Sequence, residues 1–242
     1  MTKQLLWRGM LVGILAALFA TLCARVLAEP QVDLAIAFEH RGHAAHATHA
    51  MPGMDDELVS RATQKGAGLL TAMTLYGAAV GGIFSLVFAY GYGRVARLGP
   101  RSFALLLAWL AFVIVVIVPG IKYPQTPPAV GSHDTVGIRT AAYFAMIALS
   151  LAAAVVAARL RTQMRRSLSA FDATLAAIAL YAGLMLLTQW LLPSVNEVPA
   201  DFPATLLWDF RVASIATQMV LWSGIGIAFG WSAERLLQRQ GR

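Results

Sequence analysis

The sequence predicts an all-α integral membrane protein, a bundle of six transmembrane helices with both termini cytoplasmic. Three observations carry that expectation. Apolar runs long enough to cross a bilayer recur along the chain with almost no charge inside them. Charged residues make up only 13% of the protein, where soluble domains carry about 25%. The lysines and arginines collect in alternate connections between the runs, which is how membrane proteins fix their orientation. The net charge of +7 is therefore read as topology, and nucleic acid is excluded as a partner.

The first span is placed at 5–27, behind Lys3 and Arg8. Only 16 residues separate Arg8 from Arg25, at the short end for a spanning helix. The same stretch also has the form of a secretory signal peptide, with Val26-Leu27-Ala28 as its cleavage site; five spans would then remain. Gly9 and Gly13 are spaced for close helix packing and favour a retained helix. A polar connection, 29–66, leads to the second span at 68–90, which carries a matching pair, Gly77 and Gly81. The third span, 102–120, is ended or kinked by Pro119-Gly120. The fourth, 139–158, has Asp134 or Thr135 as its cap. The fifth, 171–192, opens on a Ser169/Asp172 capping box and stops at Pro193. The sixth, 211–231, carries Gly226 and Gly230 as a small-residue face. Residues 1–242 read as a single membrane domain.

Twelve of the nineteen basic residues lie in the amino terminus, the second and fourth connections and the tail, with only Asp172 and Glu234 for company. All five histidines and the other ten acids fall on the opposite side. That asymmetry makes 29–66 an extracytoplasmic loop. Tyr90, Tyr92 and Trp231 on one side, with Tyr123, Trp190 and Trp208 on the other, suit interfacial belts. Cys23 is the single cysteine and excludes an internal disulfide.

The loop holds the most distinctive chemistry. His40, His43, His46 and His49 recur every third residue, between Glu39 and the cluster Asp55, Asp56 and Glu57. Imidazole and carboxylate are ordinary ligands of cobalt, nickel, copper and zinc. On an α-helix, positions three apart differ by about 60°, so adjacent histidines could share an ion. An irregular tract could bind as well by wrapping it. The spacing matches no zinc finger or zincin. Met51 and Met54 add soft donors that suit copper(I). His133 and Asp134, in the second outward loop, form a further candidate ligand pair.

Polar residues within the spans are few. Asp209, Arg211, Ser214 and Gln218 cluster at the start of the sixth span, and Gln189 lies near the end of the fifth. With Asp201 they form a candidate transport path, the alternative being hydrogen bonding between helices. No nucleotide-binding motif and no nucleophile–base set is present, so the chain is not expected to be an enzyme.

Two loop stretches resemble a known family. Lys122-Tyr123-Pro124, Pro127 to Gly131, Asp134-Thr135, Gly137 and Arg139-Thr140-Ala141 resemble the third-loop signature of CbtA-type cobalt transporter subunits. Val198 to Pro203, Leu207-Trp208, Phe210-Arg211 and Ser214 resemble that family's last-loop signature. The resemblance implies cobalt uptake through the bacterial inner membrane, connected with cobalamin supply. It also implies a small single-span CbtB-type subunit, itself bearing histidines, as partner.

The leading expectation is thus a divalent-metal transporter subunit with cobalt as its substrate and no fixed cofactor. The ion would be captured in the outward His/acid loop and passed through the bundle. The alternative is a non-transporting membrane metal-binding protein, a sensor, chaperone or buffer, with copper as a candidate. An oligomer is compatible with the sequence, which does not specify one.

Overall fold

The computed structural model describes residues 2–46, 59–94, 98–132 and 134–240, with side chains for all of these except 42–46 and 240. It is all-helical, without a strand among the described residues. Six helices are long and apolar enough to cross a membrane: Thr2–Arg41, Arg61–Gly91, Pro100–Lys122, Val136–Met164, Ala170–Leu191 and Ala204–Arg239. The chain divides into two units, Met1–Phe112 with Thr126–Ala129 and Asp201–Arg242, and Val113–Gln125 with Val130–Ala200.

The first unit is built on α1 (Thr2–Cys23), α4 (Leu69–Gly91), α5 (Pro100–Phe112) and α9 (Ala204–Gln240). α1 does not stop at the edge of its apolar run. It passes through a π-helical turn, Ala24–Ala28, into α2 (Glu29–His46). The second span likewise begins early, with α3 (Arg61–Thr63) and a π-helical turn, Gln64–Gly68. The connection predicted as a loop is therefore helical over Glu29–His46. Forty residues of helix measure about 60 Å, twice the hydrocarbon thickness, so the polar half of this helix lies beyond it.

Glycines set the spacing between α1 and α4. A Cβ on Gly9 would strike the Gly81 carbonyl oxygen, and one on Gly13 the Gly77 carbonyl oxygen; the reverse collisions hold as well. The backbones lie in direct contact, which only small residues permit. The pairing is antiparallel, each four-residue step along α1 matching four residues back along α4. The same register continues beyond the apolar stretch, where Arg25 donates to the Lys65 carbonyl and Arg61 pairs with Glu29. Leu5, Val12, Ala16, Ala17 and Ala20 of α1 are buried. A cleaved first span would remove the middle of this unit.

α9 runs antiparallel to α1. Arg8 donates to the Ser232 hydroxyl at 3.0 Å, Gly224 lies against Ala16, and Thr217 reaches Cys23 Sγ. Gly226 and Gly230 admit Ala108 and Ala104 of α5. Phe84, Phe88, Phe103 and Phe229 fill the space between, with ring centroids 5.1 to 5.4 Å apart.

The second unit packs α7 (Val136–Met164) on α8 (Ala170–Leu191), with the third span's later part alongside: a π-helical turn, Val113–Ile117, and α6 (Val118–Lys122). Pro119 explains that turn. It has no N–H to give and its ring crowds the preceding turn, so the helix widens rather than ends. The buried Ser150 hydroxyl donates to the Ile114 carbonyl at 3.0 Å and also contacts the Tyr181 hydroxyl. At the α8 N-terminus, Ser169 accepts from the Asp172 N–H at 3.1 Å, the expected cap.

Candidate functional site

The His-bearing tract begins on α2. Glu39 is half-buried and His40 is exposed. His43 and His46 continue the helix, so the backbone positions of these three histidines step by about 60° around its axis. His49, Asp55, Asp56, Glu57 and His133 lie outside the described residues. Among the described residues, no group of three or more His, Cys, Asp or Glu side chains gathers to hold a metal ion.

The acids nearest the membrane at this end are held by cations. Arg61 pairs with Glu29 and, at 3.0 Å, with Asp33, which also meets Lys65 at 3.2 Å. The Glu29 side chain is only 14% exposed. These four residues fasten the polar root of α2 to α3 and the π-helical turn after it, and their carboxylates are committed to cations rather than free to bind ions. Sequence reasoning overlooked them. The signal was the four-residue spacing shared by Glu29/Asp33 and Arg61/Lys65.

Farther out, Phe38 of α2 meets Phe202 of the last loop edge-on, with ring centroids 5.1 Å apart. Glu39 directly follows Phe38 and Asp201 directly precedes Phe202, so two of the predicted site residues flank one ring contact. Asp201 and Asp209 are exposed, and no cation pairs with either among the described residues. Down α9, Ser214 donates to the Phe210 carbonyl at 2.8 Å and Thr217 to the Ala213 carbonyl at 2.9 Å, which satisfies both within the helix. Arg211 Nε, Gln218 Oε1 and Trp222 Nε1 are buried atoms without a protein partner among the described residues. Leaving a buried polar atom unpaired is costly, and in membrane proteins such groups face the bundle interior or a water-filled cavity.

The second unit gathers the third-loop residues onto the chain that leaves α8. Glu197, 8% exposed, accepts from both Arg139 and Thr135. Thr135 holds the N-cap position of α7, but its hydroxyl serves Glu197 and the Ser132 carbonyl instead of capping the helix. The Tyr123 hydroxyl donates to the Pro193 carbonyl at 2.6 Å, and burial raises its pKa. Tyr123 is thus a buried clamp and not an interfacial aromatic. Lys122 reaches the Gln189 carbonyl, and the Gln189 side chain donates to the Val118 carbonyl at 3.3 Å. Gln189 therefore has a structural partner on α6. Asp134 is exposed, its N–H turned to Ser132 Oγ at 3.3 Å.

No curated protein and no solved structure matches the chain significantly. A protein-family comparison matches residues 2–234, nearly the whole length, and the family description reads "Probable cobalt transporter subunit (CbtA)". With six helices suited to a bilayer and that match, the chain is an integral membrane protein that belongs to the CbtA family of cobalt transporter subunits.

Proposed function

We propose that this subunit collects cobalt outside the bacterial inner membrane on its His/acid tract and delivers it to the start of α9. His40, His43, His46 and His49 bind the hydrated ion, assisted by Glu39 and by Asp55, Asp56 and Glu57, with His133 and Asp134 as a second outward pair. Cobalt is the cargo and not a resident cofactor. The Phe38–Phe202 contact is the observation that carries this reading. It fixes the root of the tract beside Asp201, so an ion released there meets the exposed carboxylates of Asp201 and Asp209 first. Arg211 and Gln218, with their unpartnered buried atoms, then line the polar entrance to the span. Ser214 and Gln189 are better explained as hydrogen-bonded structural groups.

The word subunit in the family description supports a partner, and a small single-span CbtB-type protein is the one proposed. Cobalt flux into liposomes holding the full chain, with and without that partner, tests the reading. Replacing all four histidines with alanine is expected to lower uptake at limiting cobalt and leave uptake at saturating cobalt nearly unchanged. Binding of cobalt by the chain without flux in either preparation would overturn transport in favour of a sensor or buffer.

A further inference from the structure

We propose that the groove between α5 and α9 is a binding site for one anionic phospholipid, independent of the metal path. The groove has a volume of about 520 Å³ and is lined by Arg101, Leu105, Gly226, Ile227, Ala228 and Trp231. Gly226 lets Ala108 of α5 close against α9, while Ile227 and Trp231 beside it stand out, 64% and 51% exposed. Its wall is polar at one end and apolar at the other. Arg101 and Trp231 lie at one end of it, and Leu105 with Gly226 to Ala228 about one helical turn farther along. From Gly226 to Arg235 is nine residues, or about 13 Å, close to the depth of one leaflet's hydrocarbon.

Charge identifies the occupant. At this end of the first unit, α1, α5 and α9 contribute Lys3, Arg8, Arg101, Arg235 and Arg239 against a single carboxylate, Glu234. Glu234 pairs with Arg101, whose side chain stays 54% exposed. The Arg235 guanidinium lies over the Trp231 ring at 3.9 Å, which holds a second cation above the groove. A phosphate bound at this end would meet these guanidiniums, since basic pockets between membrane helices favour such headgroups. An acyl chain fits below.

Trp231 lets the site report on itself. The full-length protein is reconstituted with increasing fractions of brominated phosphatidylglycerol or brominated phosphatidylcholine, and fluorescence quenching is followed. Subtracting the Trp231→Phe signal isolates this tryptophan from the other five. Half-quenching is expected at an at least fivefold lower fraction of the anionic lipid. Arg235→Gln should remove about fivefold of that preference, the contribution of one basic group near an anionic lipid. Ala228→Phe, which fills the groove, should weaken Trp231 quenching by both lipids. Arg235 is exposed, so its variant is expected to fold, and circular dichroism verifies it. Equal quenching by the two lipids, or a preference unchanged in Arg235→Gln, overturns the proposal. So does a Trp231 that neither lipid reaches, because a second copy or another protein would then cover the groove.

Discussion

Gly13 and Gly77 face each other with their backbones touching, and a methyl group on either would run into the other's main chain. The contact is reciprocal, so relief at one position cannot come from a rotamer change at its partner. Gly13→Leu or Gly77→Leu should therefore push α1 and α4 apart and cost about 3 kcal/mol, the upper end for overpacking a core. Unfolding in mild detergent followed by circular dichroism measures this. Gly120→Ala, where a Cβ would meet nothing within 4 Å, is the matched control and should change little.

Arg139 and Glu197 form an ion pair whose two members differ in burial, 30% exposed for the arginine side chain and 8% for the carboxylate. Removing one partner of a pair is costly in proportion to how poorly water reaches the other. Arg139→Leu leaves a buried carboxylate with only the Thr135 hydroxyl and should cost about 3 kcal/mol. Glu197→Gln leaves a guanidinium that can turn toward water and retains an acceptor, so it should cost about 1 kcal/mol. Melting temperatures of the purified variants should fall in that order; the reverse order would mean Arg139 has another anchor.

The Glu29, Asp33, Arg61 and Lys65 cluster should respond in a graded way. Asp33 and Lys65 are each more than 40% exposed, so Lys65→Gln is expected to change stability by no more than about 0.5 kcal/mol. Arg61→Ala removes both contacts made by one side chain and uncovers Glu29. Amide exchange over 29–41 should then accelerate while exchange in 5–20 stays slow, because only the polar arm loses its anchor. Raising the salt concentration should partly reproduce the effect in the native protein.

These residues also mark what the sequence makes legible. Six apolar runs, the two glycine pairs on α1 and α4 and the Ser169 cap could be read from spacing alone. Each is either a local property or an average over many residues. The facing of Gly9 with Gly81 and Gly13 with Gly77 is a statement about register between helices, which no single helix encodes. Once that register is known, Glu29 opposite Arg61 follows from counting along both strands of the pair. The helix over Glu29–His46 was legible only in part: the histidine tract permits one, but the segment's mean hydropathy is low and its ion pairs join it to residues about thirty positions away. Glu197 was hidden for a similar reason. In the sequence it is one of several acids in a loop; in the structure Arg139 pairs with it, the Thr135 hydroxyl donates to it, and its side chain is only 8% exposed.

The Phe38–Phe202 contact separates coupling from stability. Leucine preserves most of the apolar volume at either position but loses the edge-on ring geometry, which contributes about 1 kcal/mol between aromatic pairs. Phe38→Leu and Phe202→Leu should each lower cobalt uptake at limiting metal by a few fold, with little change in melting temperature. Because the two rings act through one contact, the double variant should be no worse than the poorer single one, a coupling that a double-mutant cycle detects. Additive losses would mean that each ring serves a separate purpose. Asp201→Asn, placed beside the contact, should reduce uptake to a similar degree without altering the α2 anchor. Exchange protection at 34–40 should therefore survive in Asp201→Asn and weaken in Phe202→Leu, which distinguishes a group that meets the ion from one that holds the tract in place.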